Sequence, residues 1–246
     1  MHTSVYKSYN MVHDQYNGHA FQILIPKNIA DGAPWVWRAE FFGAFDYVDM
    51  ALAEKGWHVA YYSICNMFGC DEAVSLMKDF RDFIVKEYSL STKADIFGFS
   101  RGGLYAVNYT ALYPNDVSVL YLDAPVLDVR SWPAGIGMGQ YSENDWRMCK
   151  ECYKLDTLDS VLQFYKNPID IRDALIKSNI PIALCAGECD SVVPYAENGA
   201  ILDKAYRTAG GDIMTLLKPH CDHHPHSISR PDPIVKFIAD RRNISI

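Results

Sequence analysis

Short apolar runs alternate with helical patterns along most of the chain, and this alternation limits the fold more than any other feature. The runs that predict strands are HAFQILIP, PWVWRAEF, WHVAYYSI, ADIFGF, VSVLYLDAP, IPIALCAG and DIMTLLKP. Apolar residues at three- and four-residue spacing between these runs predict amphipathic helices, most clearly in DEAVSLMKDFRDFIVKEY. Strands and helices in this order predict an α/β fold with a mainly parallel sheet and helices on both faces.

The alternation stops between about residues 127 and 171. This stretch contains the glycine-rich segment SWPAGIGMGQY and two short helical patterns, WRMCKECYKL and TLDSVLQFYKNP. It is too long for an ordinary loop. We therefore predict a single domain over residues 1–246, with a small helical cap inserted at about 127–171.

The composition indicates a globular protein without a nucleic-acid partner. Of the 246 residues 49% are hydrophobic, which is enough for one substantial core, and the formal net charge is −7. Phosphate binding needs a basic stripe, which an acidic surface of mixed sign does not provide. No segment has the length and apolarity of a membrane span, and the N-terminal residues lack the apolar region of a signal peptide. We therefore expect no membrane association and a cytoplasmic location.

The cysteines give a weaker indication. Their number, seven, is odd and favours free thiols in a reducing compartment. Cys149 and Cys152 form a C-x-x-C pair, but no second pair and no thioredoxin-like context accompanies it. A redox or zinc role for this pair is therefore the less favoured alternative.

Ser100 lies in the sequence GFSRGG, directly after a predicted strand and before a predicted helix. A G-x-S-x-G motif in this context is typical of a nucleophile elbow, a tight turn that exposes the serine hydroxyl at a helix N-terminus. Glycines two residues before and after the serine allow backbone segments to approach each other closely. From the motif alone, the alternative is a serine that caps a helix.

A serine nucleophile needs a general base and an orienting carboxylate, and later loops offer both. Asp190 follows the predicted strand IPIALCAG in the sequence GECDSVVP, and HCDHHPH precedes the last predicted helix. The candidate bases in that loop are His223, then His224, then His226. Asp123, after the strand VSVLYLD, is the alternative acid, although an anchoring role in a turn or the cap is favoured for it.

With these motifs the chain resembles the α/β-hydrolase superfamily, on its esterase side, from about residue 20 to residue 238. The order serine, acid, histidine is that of the superfamily, and G-E-x-D-x-x-V-P resembles its acid loop. The stretch D-H-H-P-H resembles a G-H-x-P-H pattern of many members, with Asp222 in place of the glycine. The resemblance implies that Ser100 is the nucleophile, Asp190 the acid and His223 the base.

The resemblance also implies an oxyanion hole made of two backbone N–H groups. We expect one from Arg101, the residue after the nucleophile. We expect the other from Ala39 or Glu40, in the loop WRAEFFGAF. For the charged residues of this loop, a buried ion pair between Arg38 and Glu40 is the more favoured role.

The histidine-rich loop also carries residues of the types that bind metals. They are His220, Cys221, His223, His224 and His226. Because they are crowded on one short loop, whereas a tetrahedral site usually draws on separated pairs, we expect no metal and no cofactor.

The function that these residues imply is hydrolysis of a small carboxylic ester through an acyl-enzyme. Trp132 and Trp146, in the predicted cap, are the candidate substrate contacts, and the likeness to carbohydrate-active esterases favours a carbohydrate ester; packing in the core is the alternative for both. The same triad would also serve a peptidase, a thioesterase, a lactonase or a carbon–carbon hydrolase. The fold would also serve a ligand-binding scaffold without turnover. The sequence leaves the oligomeric state and the alcohol open.

Overall fold

A sheet of nine strands forms the centre of the computed structural model, which describes residues 1–245. The strands are β1 His2–Tyr6, β2 Tyr9–Tyr16, β3 His19–Ile25, β4 Trp35–Arg38, β5 His58–Tyr62, β6 Ala94–Phe99, β7 Val117–Asp123, β8 Ile182–Gly187 and β9 Ile213–Lys218. They lie in the order β1-β2-β3-β5-β4-β6-β7-β8-β9. The pairs β1–β2, β2–β3 and β3–β5 are antiparallel, and all other pairs are parallel. The predicted mainly parallel sheet is therefore confirmed.

Helices cover this sheet on two faces. They are α1 Tyr47–Glu54, α2 Asp71–Glu87, α3 Gly102–Leu112, α4 Glu143–Tyr153, α5 Leu158–Leu162, α6 Arg172–Ser178, α7 Gly199–Thr208 and α8 Asp232–Arg241. Helices α2, α3 and α7 contribute Phe80, Tyr109 and Tyr206 to one buried cluster. Helices α1 and α8 contribute Leu52 and Ile238 to a second cluster on the opposite face. Among residues 1–245 no helix is both long enough and apolar enough to cross a membrane.

Helix α2 illustrates how the sequence pattern becomes packing. Its residues Ala73, Met77, Phe80 and Ile84 recur every three or four positions, so that they share one face and are buried. The ring of Phe80 stacks on that of Tyr62 in β5, with the ring centroids 4.3 Å apart. Burial of one such side chain contributes roughly 2–3 kcal/mol to folding.

The strands β1 and β2 lie outside the predicted elements. Both belong to hairpins with two-residue turns, in which Lys7 and Ser8 have φ of 45° and 72°, and Asn17 and Gly18 have φ of 48° and 81°. Positive φ at both central residues is the signature of a type I′ turn, for which Asn-Gly is favoured. The two hairpins add an antiparallel edge to the parallel sheet.

Between β7 and β8 the chain leaves the sheet and forms the short helices α4, α5 and α6. Trp132, Cys149 and Leu155 of this segment belong to a third buried cluster. The N–H of Gln140 donates a hydrogen bond to the carbonyl of Val192, which follows the carboxyl end of β8, at 3.1 Å. The segment therefore contacts the edge of the sheet at which the parallel strands end.

Candidate active site

Ser100 occupies a sharp turn between β6 and α3. Its φ is 48°, in the left-handed region that is strained for residues other than glycine. Its N–H donates to the carbonyl of Asp123, and its carbonyl accepts from the N–H of Val126, both at 2.9 Å. Gly98 is required because a Cβ there would lie 2.8 Å from the Cβ of Ala106 in α3. The turn therefore has the geometry of a nucleophile elbow.

The structure brings the three predicted catalytic side chains together. The Oγ atom of Ser100 lies 3.0 Å from Nε2 of His223, and Nδ1 of His223 lies 2.8 Å from Oδ2 of Asp190. Ser100 is 9% exposed, and His223 and Asp190 are each 6% exposed. Chemically, this arrangement allows the imidazole to accept the serine proton while the carboxylate orients the ring. The catalytic roles of the three residues remain predictions.

Backbone contacts of the two loops position Asp190 and His223. Oδ1 of Asp190, the carboxylate oxygen that does not contact His223, accepts hydrogen bonds from the N–H groups of Val192 at 3.0 Å and Val193 at 2.8 Å. The acid loop passes close to the histidine loop at the end of β8, where a Cβ on Gly187 would lie 2.4 Å from the carbonyl oxygen of Asp222. Glycine at this position therefore allows the two loops to meet.

Asp222 connects the acid loop and the histidine loop through hydrogen bonds. Its Oδ1 accepts hydrogen bonds from the N–H groups of His223 and Ser191, both at 2.8 Å. The hydroxyl of Ser191 also donates to the carboxylate at 3.1 Å. The N–H groups of Ser191 and His223 hold the pKa of Asp222 below its ordinary value. In the sequence Asp222 stands out only as a replacement for glycine, and that departure is the signal by which its role could have been found.

Asp123, the alternative acid, pairs with a different histidine. Its Oδ1 lies 2.9 Å from Nδ1 of His226, and its Oδ2 accepts from the N–H of Ser227 at 2.8 Å and from the hydroxyl of Tyr121 at 3.0 Å. Burial alone would raise the pKa of Asp123, but the hydrogen bond of His226 and the charge of Lys218 hold it below its ordinary value. Asp123 is therefore an ionised anchor for the histidine loop.

His224, the second candidate base, is exposed and lies beside the other two imidazoles. Partial burial and the charges of His226 and His223 lower the pKa of His224. One ring nitrogen from each of these three residues lies within 4.8 Å of the others, so that they could together hold a metal ion. Of the other candidate ligands in the loop, neither His220 nor Cys221 belongs to this group within residues 1–245.

The oxyanion prediction is wrong for Ala39. The N–H of Ala39 donates to the carbonyl of Phe97 at 3.0 Å, which continues the pairing of β4 with β6 by one residue, so this N–H is not free. The backbone N–H groups of Glu40 and Arg101 have no hydrogen-bond partner within residues 1–245. Glu40 also packs on the elbow, since a Cβ on Gly102 would lie 3.3 Å from the Cβ of Glu40. Glu40 and Arg101 therefore remain the predicted oxyanion donors.

The expected ion pair between Arg38 and Glu40 is also wrong, because Arg38 has other partners. Its guanidinium lies 3.4 Å from Asp49 and donates to the carbonyls of Phe41 at 2.9 Å and Ala44 at 2.8 Å. Arg38 therefore braces the loop through backbone carbonyls and a carboxylate of α1.

Glu40 pairs with Arg101 instead. The two groups are 3.3 Å apart, and the side chain of Glu40 is 2% exposed. Burial raises the pKa of Glu40, and the charge of Arg101 opposes that rise. The guanidinium of Arg101 also lies 3.0 Å from Asp145 in α4. This chain of charges connects the predicted oxyanion loop, the elbow and the inserted segment.

A cavity of about 160 Å³ opens beside Ser100. It is lined by Phe41, Ala44, Phe45, Phe99, Ser100, His223, His224 and His226. Trp132 and Trp146 are not in this lining. Trp132 is 8% exposed and faces the ring of Phe68 with centroids 6.5 Å apart, and Trp146 lines a separate cavity beside α5. The substrate role of both tryptophans stays a prediction, and their surroundings favour packing.

Several solved structures superpose on almost the whole chain. A puromycin-hydrolysing peptidase from Mycobacterium tuberculosis matches with a TM-score of 0.73 over 96% of this chain and 40% of its own, at 11% identity. Dipeptidyl peptidase 4 from Porphyromonas gingivalis matches with a TM-score of 0.65 over 96% of this chain and 35% of its own, at 13% identity. An α/β-hydrolase enzyme from the metagenome of lagoon sediments at Mar Chica, Morocco, matches with a TM-score of 0.59 over 95% of this chain and 100% of its own, at 17% identity.

These likenesses show that the chain has the α/β-hydrolase fold. The chain spans only 40% and 35% of the lengths of the two peptidase chains. No protein-family model matches the sequence, and no curated protein matches it.

Proposed function

On this α/β-hydrolase fold, we propose a serine hydrolase that cleaves a small carboxylic ester through an acyl-enzyme. The observation that carries the proposal is the continuous contact from Ser100 through His223 to Asp190, at 3.0 and 2.8 Å, on a strained turn. Ordinary helix-capping serines do not need a buried imidazole and a buried carboxylate in line behind the hydroxyl.

In the proposed reaction Ser100 attacks the ester carbonyl carbon, and Nε2 of His223 accepts the hydroxyl proton. Asp190 holds the proton on Nδ1 of His223 and stabilises the imidazolium. The backbone N–H groups of Glu40 and Arg101 bind the developing oxyanion. The imidazolium then donates its proton to the leaving alcohol, and a water molecule, deprotonated by the same imidazole, hydrolyses the acyl-enzyme.

The cavity beside Ser100 favours a short acyl group. Its volume is about 160 Å³, and an apolar cavity of roughly 150 Å³ accommodates a molecule of benzene. Phe41, Phe45 and Phe99 give the cavity a partly apolar lining. A short apolar acyl group of about six non-hydrogen atoms therefore fits within this cavity. Because Trp132 and Trp146 lie outside the lining, the choice of a carbohydrate alcohol has no support from this cavity.

Peptide hydrolysis by the same triad is the second candidate, since two of the superposed structures carry the name of a peptidase. The residues that line the cavity include no carboxylate. The ammonium group of an aminoacyl substrate would therefore find no ion partner in the cavity, and this favours the ester.

Labelling with a fluorophosphonate probe tests the proposal. The wild type is expected to react at one serine, and Ser100→Ala to lose both the label and ester turnover, the latter by about 10⁶-fold. Ser4→Ala, at an exposed serine in β1, is the matched control and should label normally. Equal labelling of Ser100→Ala and the wild type would reject the proposal.

A substrate panel separates the ester from the peptide. We expect kcat/KM to fall along p-nitrophenyl esters once the acyl group exceeds about six non-hydrogen atoms, the size set by the cavity. Aminoacyl and dipeptidyl p-nitroanilides should be poorer substrates than the acetate. A higher kcat/KM on the anilides would indicate that the substrate is a peptide and not an ester, and the proposal of a serine hydrolase would still hold.

A further inference from the structure

Three imidazoles meet beside Ser100, from His223, His224 and His226. Their ring centroids are 4.7, 4.8 and 5.0 Å apart, and the ring planes are inclined to one another by 69° to 84°. One ring nitrogen of each lies within 4.8 Å of the other two. Three imidazoles around one zinc ion, with Zn–N distances of about 2.0–2.1 Å, place their ligand nitrogens roughly 3.4 Å apart. A small contraction of the group would therefore close it around an ion.

Two of the three rings already have the outer partners that metal-binding histidines usually have. Nδ1 of His223 lies 2.8 Å from Asp190, and Nδ1 of His226 lies 2.9 Å from Asp123. Such carboxylates fix the tautomer of a metal-bound imidazole and increase the basicity of its other nitrogen. In both residues they leave Nε2 as the nitrogen available to an ion. The ring of His224, which is exposed, stacks on that of Phe45 with the centroids 5.8 Å apart and has no carboxylate partner of this kind among the hydrogen bonds of residues 1–245.

The proposed hydrolase places a different demand on the same nitrogen. Nε2 of His223 lies 3.0 Å from Oγ of Ser100 and has to accept the serine proton. A nitrogen whose lone pair is bound to a metal ion cannot accept a proton. The ion and the serine proton therefore exclude each other at this atom.

From this geometry we infer that His223, His224 and His226 form an inhibitory site for a divalent ion of the zinc class. Imidazole nitrogens suit Zn²⁺, and three protein ligands leave a fourth position for water. The inhibition rests on the proposed function of Ser100, whereas the binding of the ion does not. The sequence shows that the histidines are crowded, but it does not show which carboxylates orient them. In the structure these are the buried side chains of Asp123, at the end of β7, and Asp190, in the loop after β8.

Calorimetric titration of the whole chain with ZnCl₂ tests the binding. We expect one ion per chain in the wild type and in Ser100→Ala, since Ser100 is not a ligand. His224→Ala should weaken binding by more than about 100-fold, because the loss of an outer partner alone typically costs 10–100-fold. His220→Ala, at an exposed histidine of the same loop outside the group, is the matched control and should bind as the wild type does. Asp123→Asn, which alters an outer partner only, should weaken binding by about 10–100-fold.

Hydrolysis of p-nitrophenyl acetate tests the inhibition, with each variant compared with its own zinc-free rate. Zinc should inhibit the wild type over the same concentration range as it binds, and EDTA should restore the rate. The inference is overturned if no stoichiometric binding is observed, if His224→Ala and His220→Ala bind equally, or if bound zinc leaves the rate unchanged. If Ser100→Ala hydrolyses the ester normally, the proposed function fails, and the calorimetric result still decides the metal site.

Discussion

Nδ1 of His226 lies 2.9 Å from Oδ1 of Asp123, and the ring of His226 lies 4.7 Å from that of His223. The site therefore holds two buried imidazole–carboxylate pairs side by side. The pair of His223 with Asp190 contacts Ser100, whereas the pair of His226 with Asp123 joins the histidine loop to the end of β7. Two carboxylates that are alike in burial and in partner are thus expected to differ in function.

Substitution of each carboxylate by its amide should separate these functions. Asp190→Asn should lower kcat on p-nitrophenyl acetate by about 10⁴-fold, since the amide no longer holds the productive tautomer of His223. Asp123→Asn should retain kcat within about tenfold but lower the free energy of unfolding by about 2 kcal/mol, because buried donors lose their charged acceptor. Steady-state rates and denaturant unfolding measure the two effects. A larger loss of kcat in Asp123→Asn than in Asp190→Asn would make Asp123 the catalytic acid.

Asp222 is expected to act as a positioning residue. Asp222→Ala removes the acceptor shared by the N–H groups of Ser191 and His223, and we expect kcat to fall by 10- to 100-fold with KM nearly unchanged, because small displacements of catalytic groups are costly. Asp222→Asn keeps an acceptor oxygen and should restore most of the rate. A fall confined to Tm, with kcat unchanged in Asp222→Ala, would make the role purely structural.

The pH dependence of Asp222 has a definite sign. Its pKa in the folded chain is lowered, so its contribution to stability is fully present above the ordinary value of 3.8 and is lost as the pH falls through the folded value. The stability difference between the wild type and Asp222→Ala should therefore be constant above about pH 5 and shrink in stronger acid.

Much of the fold follows from local patterns in the sequence. Strand and helix periods, and the glycines around Ser100, are local features, and each predicted strand from HAFQILIP onward corresponds to a strand of the sheet. Asn17-Gly18 is also a local hairpin signal, because Asn-Gly is favoured in type I′ turns. Lys7-Ser8 gives no comparable signal, because residues other than glycine only rarely adopt positive φ. The N-terminal hairpins are therefore the part of the fold that the pattern describes least.

The site was predictable to the extent that motifs and their order carry it. Ser100, Asp190 and His223 each follow a recognisable strand, and parallel strands end at one edge of the sheet. The partners of Asp123 and Glu40 were not predictable, because no motif links these residues to His226 and Arg101, which are 103 and 61 residues away along the chain. Ala39 failed as an oxyanion donor because the hydrogen bonding of β4 extends one residue beyond the strand.

Trp132 is expected to stabilise the fold without setting the acyl preference. It is 8% exposed and lies outside the cavity at Ser100, so Trp132→Ala should lower the free energy of unfolding by about 3 kcal/mol. The ratio of kcat/KM for p-nitrophenyl acetate and hexanoate should not change. Tyr165→Ala, at an aromatic residue that is 74% exposed, is the control and should change neither quantity. A changed ratio in Trp132→Ala would return Trp132 to the substrate site.

Arg101 is expected to make the stability of the chain less dependent on pH by neutralising Glu40. Arg101→Met keeps the backbone N–H but leaves the carboxylate of Glu40 buried without its ion partner, which raises the pKa of Glu40 further. Between the ordinary value of 4.5 and this raised pKa, the folded state binds more protons than the unfolded state, so stability falls as the pH rises. The deficit of Arg101→Met relative to the wild type should therefore be small near pH 4.5 and grow to about 3 kcal/mol at pH 8. Denaturant unfolding across this range measures it, with Arg101→Met combined with Glu40→Gln as the control in which the growth disappears. The guanidinium of Arg101 also lies 5.4 and 5.6 Å from the ring centroids of Phe41 and Phe68. A deficit of equal size at every pH would therefore mean that Arg101 stabilises the elbow by packing on these rings and not by balancing the charge of Glu40.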